Sequence, residues 1–240
     1  MAVRMRKQAC TNFRPSGNNF GGNDNGQPPS SHPPSASARH LTCLTSVLNL
    51  LPKAVNSVLF QALRRILSVL ENLGVPYALI GGLALAFYGV VRATRDLDLL
   101  IVLSPADVEK LAEQLTANGL PASPRKGASG DPVVGVVAAQ VPVGASQLIC
   151  ALLLPSARWQ SEAVRKAQTF DLEGSQVRVV QARDLFLLKL HAGGPQDLLD
   201  TSQLLQMQDE TTGRAWKDAA SNMHMGDELK WCLSFMAEEV

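Results

Sequence analysis

Two aspartates, Asp96 and Asp98, sit on either side of Leu97 where the apolar run Leu97 to Leu103 begins. A carboxylate is costly to place in a buried strand unless something offsets its charge. Side chains at positions i and i+2 of a strand share a face, so the pair is expected to point one way, about 6–7 Å apart. Like charges at that separation call for a cation between them. A hard divalent ion such as Mg²⁺ takes few protein carboxylates and completes its shell with water and phosphate. The competing reading is a solvated pair at a strand end.

Upstream of the aspartates the sequence reads YALIGGLALAFYGVVRATRD. An apolar run, Tyr77 to Ile80, ends in Gly81 and Gly82, and a helix-like run starts at Leu83. Glycine permits a tight turn and close approach of backbone to a ligand. The N-terminus of a helix offers N–H groups to an anion. A phosphate-binding turn and a metal-binding strand would then face each other across a short helix, a layout suited to phosphoryl or nucleotidyl transfer. Arg92 and Thr94 lie between the two motifs. Arg92 carries a guanidinium that suits phosphate oxygens or a salt bridge to one of the aspartates; both readings stay open. Thr94 is expected to position the turn. The plain alternative for the glycines is a tight connection.

The elements that must position these groups follow from the rest of the chain. Its 240 residues suit one domain plus a tail. Apolar residues make up 46% and aromatics only 5%, so the core must be built from Leu, Val, Ala and Ile. A formal net charge of +1 gives no global argument for nucleic acid. The four cysteines, Cys10, Cys43, Cys150 and Cys232, form no close pair. This argues against a disulfide framework or zinc site and for a reducing cytoplasm. No apolar run reaches membrane-spanning length without a charge or break.

Residues 1 to about 40 are rich in Gly, Asn, Pro and Ser, which cannot bury enough apolar surface to offset ordering entropy, so a disordered tail is expected. From Leu41 the pattern is helical. Val55, Leu59, Leu63, Ile66, Leu67 and Leu70 recur every three or four residues, with Pro52 at the entry and Gly74 at the exit. Strands are expected over Tyr77 to Ile80, Leu97 to Leu103, Val133 to Val143 and Gln147 to Leu154, the last apolar enough to be buried on both faces. Ser104-Pro105-Ala106-Asp107 reads as a helix start, the helix running to Asn118-Gly119. Arg158 to Gln168 reads as helix. Phe170 to Leu172 and Val177 to Val180 flank Glu173-Gly174-Ser175 as a hairpin. Helices are expected over Ala182 to His191, Pro195 to Met207 and Asp227 to Glu238. Lys189 interrupts the apolar stretch Leu185 to Leu190. An ammonium there must meet a carboxylate or phosphate, or snorkel to the surface. Asp197 and Asp200 are expected to pair with Lys189 or to cap the helix after Gly193-Gly194-Pro195. His191 is read as a helix-end residue.

Gly81-Gly82, Arg92, Thr94, Asp96 and Asp98 in this order resemble the GG…RxTxDxD core of polymerase-beta-type nucleotidyltransferases. ARDLFLLKLHAGGPQDLLDTSQLL resembles a helical segment of the AbiEii-like, minimal-nucleotidyltransferase branch. The resemblance runs from about Val55 to Leu205. It implies an α+β nucleotidyltransferase fold, a mixed sheet flanked by helices, with the carboxylates on its second strand. The domains it suggests are a tail at 1–40, a nucleotidyltransferase-like domain at 41–210 and a helical extension at 211–240. It implies Mg²⁺ at Asp96 and Asp98, an NTP triphosphate at Gly81 and Gly82 with Arg92 and Thr94 nearby, and a catalytic Lys189. The implied activity is transfer of a nucleoside monophosphate to a hydroxyl of RNA, protein or a small molecule in the cytoplasm. A small partner protein and a toxin–antitoxin role come with the branch. Members usually place a third carboxylate on a later central strand, ahead of an Arg-Trp pair. Counting back from Arg158-Trp159 gives Ala151, or Cys150, at that position; Asp131 lies in the preceding loop, in the wrong register. A nucleotide binder without turnover and a non-enzymatic scaffold are the rival readings.

Overall fold

The computed structural model describes residues 53–128, 130–172 and 174–237. The expected tail and the helical pattern from Leu41 to Pro52 lie outside them. Helix α1 (Lys53–Asn72) buries Leu59, Leu63, Ile66, Leu67 and Leu70, the stripe its periodicity predicts. Its chain reverses at Gly74, where φ is +66° and the Val75 N–H donates to the Leu70 carbonyl.

Strand β1 (Tyr77–Ile80) leads straight into helix α2 (Gly81–Ala86), and β2 (Leu97–Ile101) returns antiparallel to β1. A 3₁₀ turn (Pro105–Asp107), in which Ser104 Oγ accepts from Ala106 N at 3.3 Å, precedes α3 (Val108–Ala117). Next come β3 (Ala122–Lys126), β4 (Val133–Val143), β5 (Ser146–Pro155), α4 (Arg158–Arg165), β6 (Gln168–Leu172) and β7 (Ser175–Val179). The helices α5 (Ala182–Ala192), α6 (Pro195–Gln206), α7 (Glu210–Asn222) and α8 (Gly226–Ala237) complete the described chain. The strands form one seven-stranded mixed sheet in the order β3-β4-β5-β2-β1-β7-β6. The fold is therefore α+β, a mixed sheet flanked by helices.

Register explains the core. Leu97, Leu99 and Ile101 of β2 line up with Cys150, Leu152 and Leu154 of β5 and with Val137 and Ala139 of β4 on one fully buried face. Helix α1 packs against β4 and β5 there, and α3 packs against β3 and β4. The other face is different. Asp98, Ala151 and Ala138 stand side by side across β2, β5 and β4. Ala151 and Leu153 are half-buried and Ile149 is 45% exposed, so β5 is not buried on both faces as its apolar run suggests. Its two faces meet different neighbours, which an all-apolar run does not reveal.

Other boundaries shift for local reasons. Helix α4 stops at Arg165 instead of reaching Gln168. Arg178 Nη2 donates to the Val164 carbonyl at 2.8 Å and Gln181 Nε2 to the Lys166 carbonyl at 2.9 Å, which satisfies the helix end and frees Gln168 for β6. Gln160 caps the other end, accepting from Ser156 N at 2.7 Å and Ala157 N at 3.0 Å. Helix α5 ends at Gly193, where φ is +67°. Trp216 of α7 packs on Phe186 of α5 with ring centroids 5.4 Å apart, and α8 packs against α5 and α6. One strand lies outside the expected set, and one helix falls in the expected extension at 211–240 without a range of its own. Strand β3 is a polar edge strand holding Pro124, and α7 opens with Asp209 accepting from Thr212 N at 2.9 Å. No described helix is long and apolar enough to cross a membrane.

Candidate active site

The turn from β1 into α2 is where the sequence motifs converge. Ile80 pairs with Asp98 across the antiparallel ladder, so the residue after it, Gly81, meets the Asp98 side chain. Gly81 has φ +70°, and a Cβ on it would lie 2.8 Å from both Cβ and Cγ of Asp98 and overlap Oδ2. Only glycine fits there, on conformation and on space. A Cβ on Gly82 would stand 3.0 Å from Cβ and Oγ1 of Thr94 and 3.1 Å from Nη2 of Arg92. The two glycines, Arg92, Thr94 and Asp98 are thus gathered about the first turn of α2. The helix starts at the glycines themselves, not after them at Leu83. Thr94 Oγ1 donates to the Asp96 carbonyl at 3.3 Å, a bond that shapes the loop entering β2.

The aspartates are not equivalent. Asp98 is on β2 and half-buried; Asp96 lies ahead of the strand and is exposed, so the two are not consecutive residues of one strand face. Burial pushes the Asp98 carboxyl up to about 6, and the charge on Asp96 adds to this. Lys189 and Arg92 pull in the opposite direction without cancelling it, and Asp197 pushes it further up. Asp98 therefore holds its proton more readily than a solvated carboxyl does.

Beside it lies a buried ionic network. Lys189 is 5% exposed, and its Nζ lies 2.8 Å from Asp197 Oδ1 and 2.7 Å from Asp200 Oδ2. Asp200 is fully buried, and Arg92 Nε donates to its Oδ1 at 2.9 Å and its Oδ2 at 3.2 Å. Gln196 Nε2 donates to Oδ1 at 2.9 Å. Lys189 does not snorkel: it is held by Asp197 and Asp200. Arg92 pairs with Asp200 rather than with Asp96 or Asp98, a partner missed by sequence reasoning because it comes from a distant helix. Asp98 thus has Asp96 and Asp197 as like charges and Lys189 and Arg92 as opposite charges around it.

The position for a third strand carboxylate holds Ala151, directly paired with Asp98, and beyond it Ala138. Cys150 lies on the opposite, buried face. Asp131 sits in the turn between β3 and β4, where its Oδ2 accepts from Ala128 N at 2.6 Å. Among the described residues no group of three or more His, Cys, Asp or Glu is arranged to hold a metal by itself. Two carboxylates nevertheless match the usual Mg²⁺ requirement of one or two protein ligands completed by phosphate and water. The hard oxygen donors present, Asp96 and Asp98, are of the type that ion takes. His191 is in the last turn of α5, edge-on to Trp159 with centroids 5.7 Å apart. A depression of about 440 Å³ lined by Glu71, Tyr77, Gln176 and Arg178 opens at the other end of β1, away from this chemistry.

No protein-family model and no curated protein matches the chain. Several solved structures resemble it. An antigenic nucleotidyltransferase-like protein from Paracoccidioides brasiliensis is 15% identical, with 75% of this chain and 91% of that one covered and a TM-score of 0.40. ANT(2'')-Ia in complex with adenylyl-2''-tobramycin is 13% identical over 69% of this chain and 99% of that one, with a TM-score of 0.46. JHP933 from Helicobacter pylori is 19% identical over 65% and 68%, with a TM-score of 0.40. These are distant likenesses.

Proposed function

We propose that this chain is a polymerase-beta-type nucleotidyltransferase-like protein of the AbiEii-like branch that binds an NTP with Mg²⁺ at the β1–α2 turn. The observation that carries the reading is the cradle. Gly81 and Gly82 let Asp98, Thr94 and Arg92 stand against the backbone at the start of α2, closer than any side chain there would allow. Asp96 and Asp98 would hold the metal, and Mg²⁺ bound there would neutralise charge on the triphosphate. The backbone at Gly81 and Gly82 would meet the phosphates, Arg92 would contact their oxygens, and Lys189 would offset negative charge. In the reaction an acceptor hydroxyl oxygen attacks the α-phosphorus. The bond from that phosphorus to the β-phosphate bridging oxygen breaks, pyrophosphate leaves, and the hydroxyl proton passes to solvent.

The acceptor approaches from the β5 side, where Ala151, Ala138 and Leu153 form an uncharged floor. Strands β3, β4 and β5 hold no carboxylate, and β3 brings Arg125 in register with Val136 and Leu153 on that face. Such a wall suits a neutral or anionic hydroxyl compound, such as an RNA end, better than a polycation. Ala151 also favours a second reading, a nucleotide binder with little turnover. A ligand made mainly in the transition state affects turnover more than ground-state binding, and that ligand is missing here. The free, buried cysteines Cys150 and Cys232 suit a cytoplasmic protein.

The test has two arms. Calorimetry of Mg²⁺-ATP with the natural chain and with Asp96→Asn/Asp98→Asn should show binding that the double variant loses. Incubation with each labelled NTP and total RNA or lysate should show slow transfer of label with pyrophosphate release. Equal Mg²⁺-ATP affinity in both forms would overturn the site assignment. Binding without any transfer would select the second reading.

A further inference from the structure

We infer that Asp200 is a positioning residue, which holds Arg92 from beneath so that its guanidinium is set against the glycine turn before any ligand arrives. The inference rests on the nucleotide reading above. Asp200 is 0% exposed on α6, and its two oxygens take three donor side chains, Arg92, Lys189 and Gln196. A buried carboxylate of this kind is expensive, and apolar residues would join α6 to its neighbours at least as well. Its use lies in what it leaves free.

Arg92 is gripped through Nε, the inner edge of a rigid planar group. Fixing Nε fixes the whole fork. The outer nitrogens are then set: Nη1 donates to the Ala93 carbonyl at 3.3 Å, and Nη2 lies 3.1 Å from where a Cβ on Gly82 would be. That nitrogen stands against the first turn of α2, where the missing side chain lets it approach. Lys189 has three N–H donors. Two are taken by Asp197 and Asp200. One buried carboxylate, shared with that ammonium, therefore fixes where the Arg92 fork stands against the glycine turn. Donors fixed in advance need no reorganisation when charge arrives.

The test is a double-variant cycle on the full chain, reading Mg²⁺-ATP affinity by calorimetry on samples whose thermal transitions show folding. Arg92→Met should weaken binding about tenfold, the scale of one lost charge-assisted contact. Asp200→Asn should weaken it about as much, because the amide turns a donor toward two donors. The combined variant should lose little more than Arg92→Met alone, since Asp200 acts through Arg92. A merely structural Asp200 would lower the melting temperature and leave the affinity of the folded protein unchanged. Arg92→Lys, at a partly exposed side chain, decides the matter if Asp200→Asn does not fold. A single ammonium cannot both satisfy Asp200 and reach the glycine turn, so affinity should again fall about tenfold. Wild-type affinity in folded Asp200→Asn or in Arg92→Lys, or losses at 92 and 200 that multiply, would overturn the inference while leaving the nucleotide reading intact. No binding by the natural chain would overturn both.

Discussion

The half-buried carboxyl of Asp98 makes the apo protein unstable in a pH-dependent way that one isosteric change should remove. Its folded value is about 6 against an ordinary 3.8, raised first by burial and then by Asp96. A carboxyl with a raised folded value binds more protons folded than unfolded between those two limits, so stability falls as pH rises through that window. Relative to a neutral group the cost is about 3 kcal/mol near pH 7.5 and about 1 kcal/mol near pH 4.5, at roughly 1.4 kcal/mol per unit. Asp98→Asn keeps the shape and removes the charge. In EDTA, urea unfolding of the variant should show a stability advantage over the natural chain that is about 2 kcal/mol larger near pH 7.5 than near pH 4.5. Adding Mg²⁺ with nucleotide should narrow the gap at the higher pH by stabilising only the natural chain. An advantage that is the same at both pH values, or that grows on acidification, would refute the account of Asp98 as a carboxylate whose charged form burial disfavours.

Gly81→Ala should destabilise by about 1–3 kcal/mol and abolish Mg²⁺-ATP binding, because it combines a left-handed φ with overlap on Asp98. Gly74→Ala, with a similar φ of +66° and open space around it, should cost about 1 kcal/mol by thermal unfolding and leave binding unchanged. Lys189→Met should cost about 3 kcal/mol in urea, since buried Asp200 and its neighbour Asp197 lose their shared ammonium. Ala151→Asp puts a third carboxylate in register with Asp98. It should lower the apo melting temperature, enlarge the stabilisation by Mg²⁺ and raise the rate of label transfer.

How much could be read in advance depended on sequence distance. Gly81, Gly82 and Asp98 belong to one strand–helix–strand unit, and their meeting follows from local rules. Lys189 betrayed itself as an ammonium in an apolar helix, and Asp197 and Asp200 were its natural partners. That Arg92 also reaches Asp200 had no local signal, because the contact is set by how α6 docks beside the loop entering β2. Strand β3 escaped notice because Ala122-Ser-Pro-Arg-Lys shows no apolar alternation; as an edge strand it buries little. Helix α7 could have been found: Asp209 is a good cap, and Gly213, Trp216 and Ala220 recur at helical spacing. The strand is expected from Leu97 and begins there. Asp96 is grouped with Asp98 by the i, i+2 rule, which holds only inside a strand, and it lies exposed one residue ahead of it.

The Arg92–Asp200 pair joins positions 108 residues apart. Closing a loop of that length costs roughly 4 kcal/mol in chain entropy beyond a constant. Gly81 and Asp98, by contrast, meet within a single short unit. The site is therefore built in two stages. The carboxylate and the glycine cradle come together early and locally, and the clamp on the cations comes late, with the slow non-local contacts. A chain emerging from its N-terminus has Arg92, Asp96 and Asp98 well before α5 and α6 bring Lys189, Asp197 and Asp200. Ligand competence is gained near the end of folding, and an unfinished chain holds the parts of a nucleotide site without the grip.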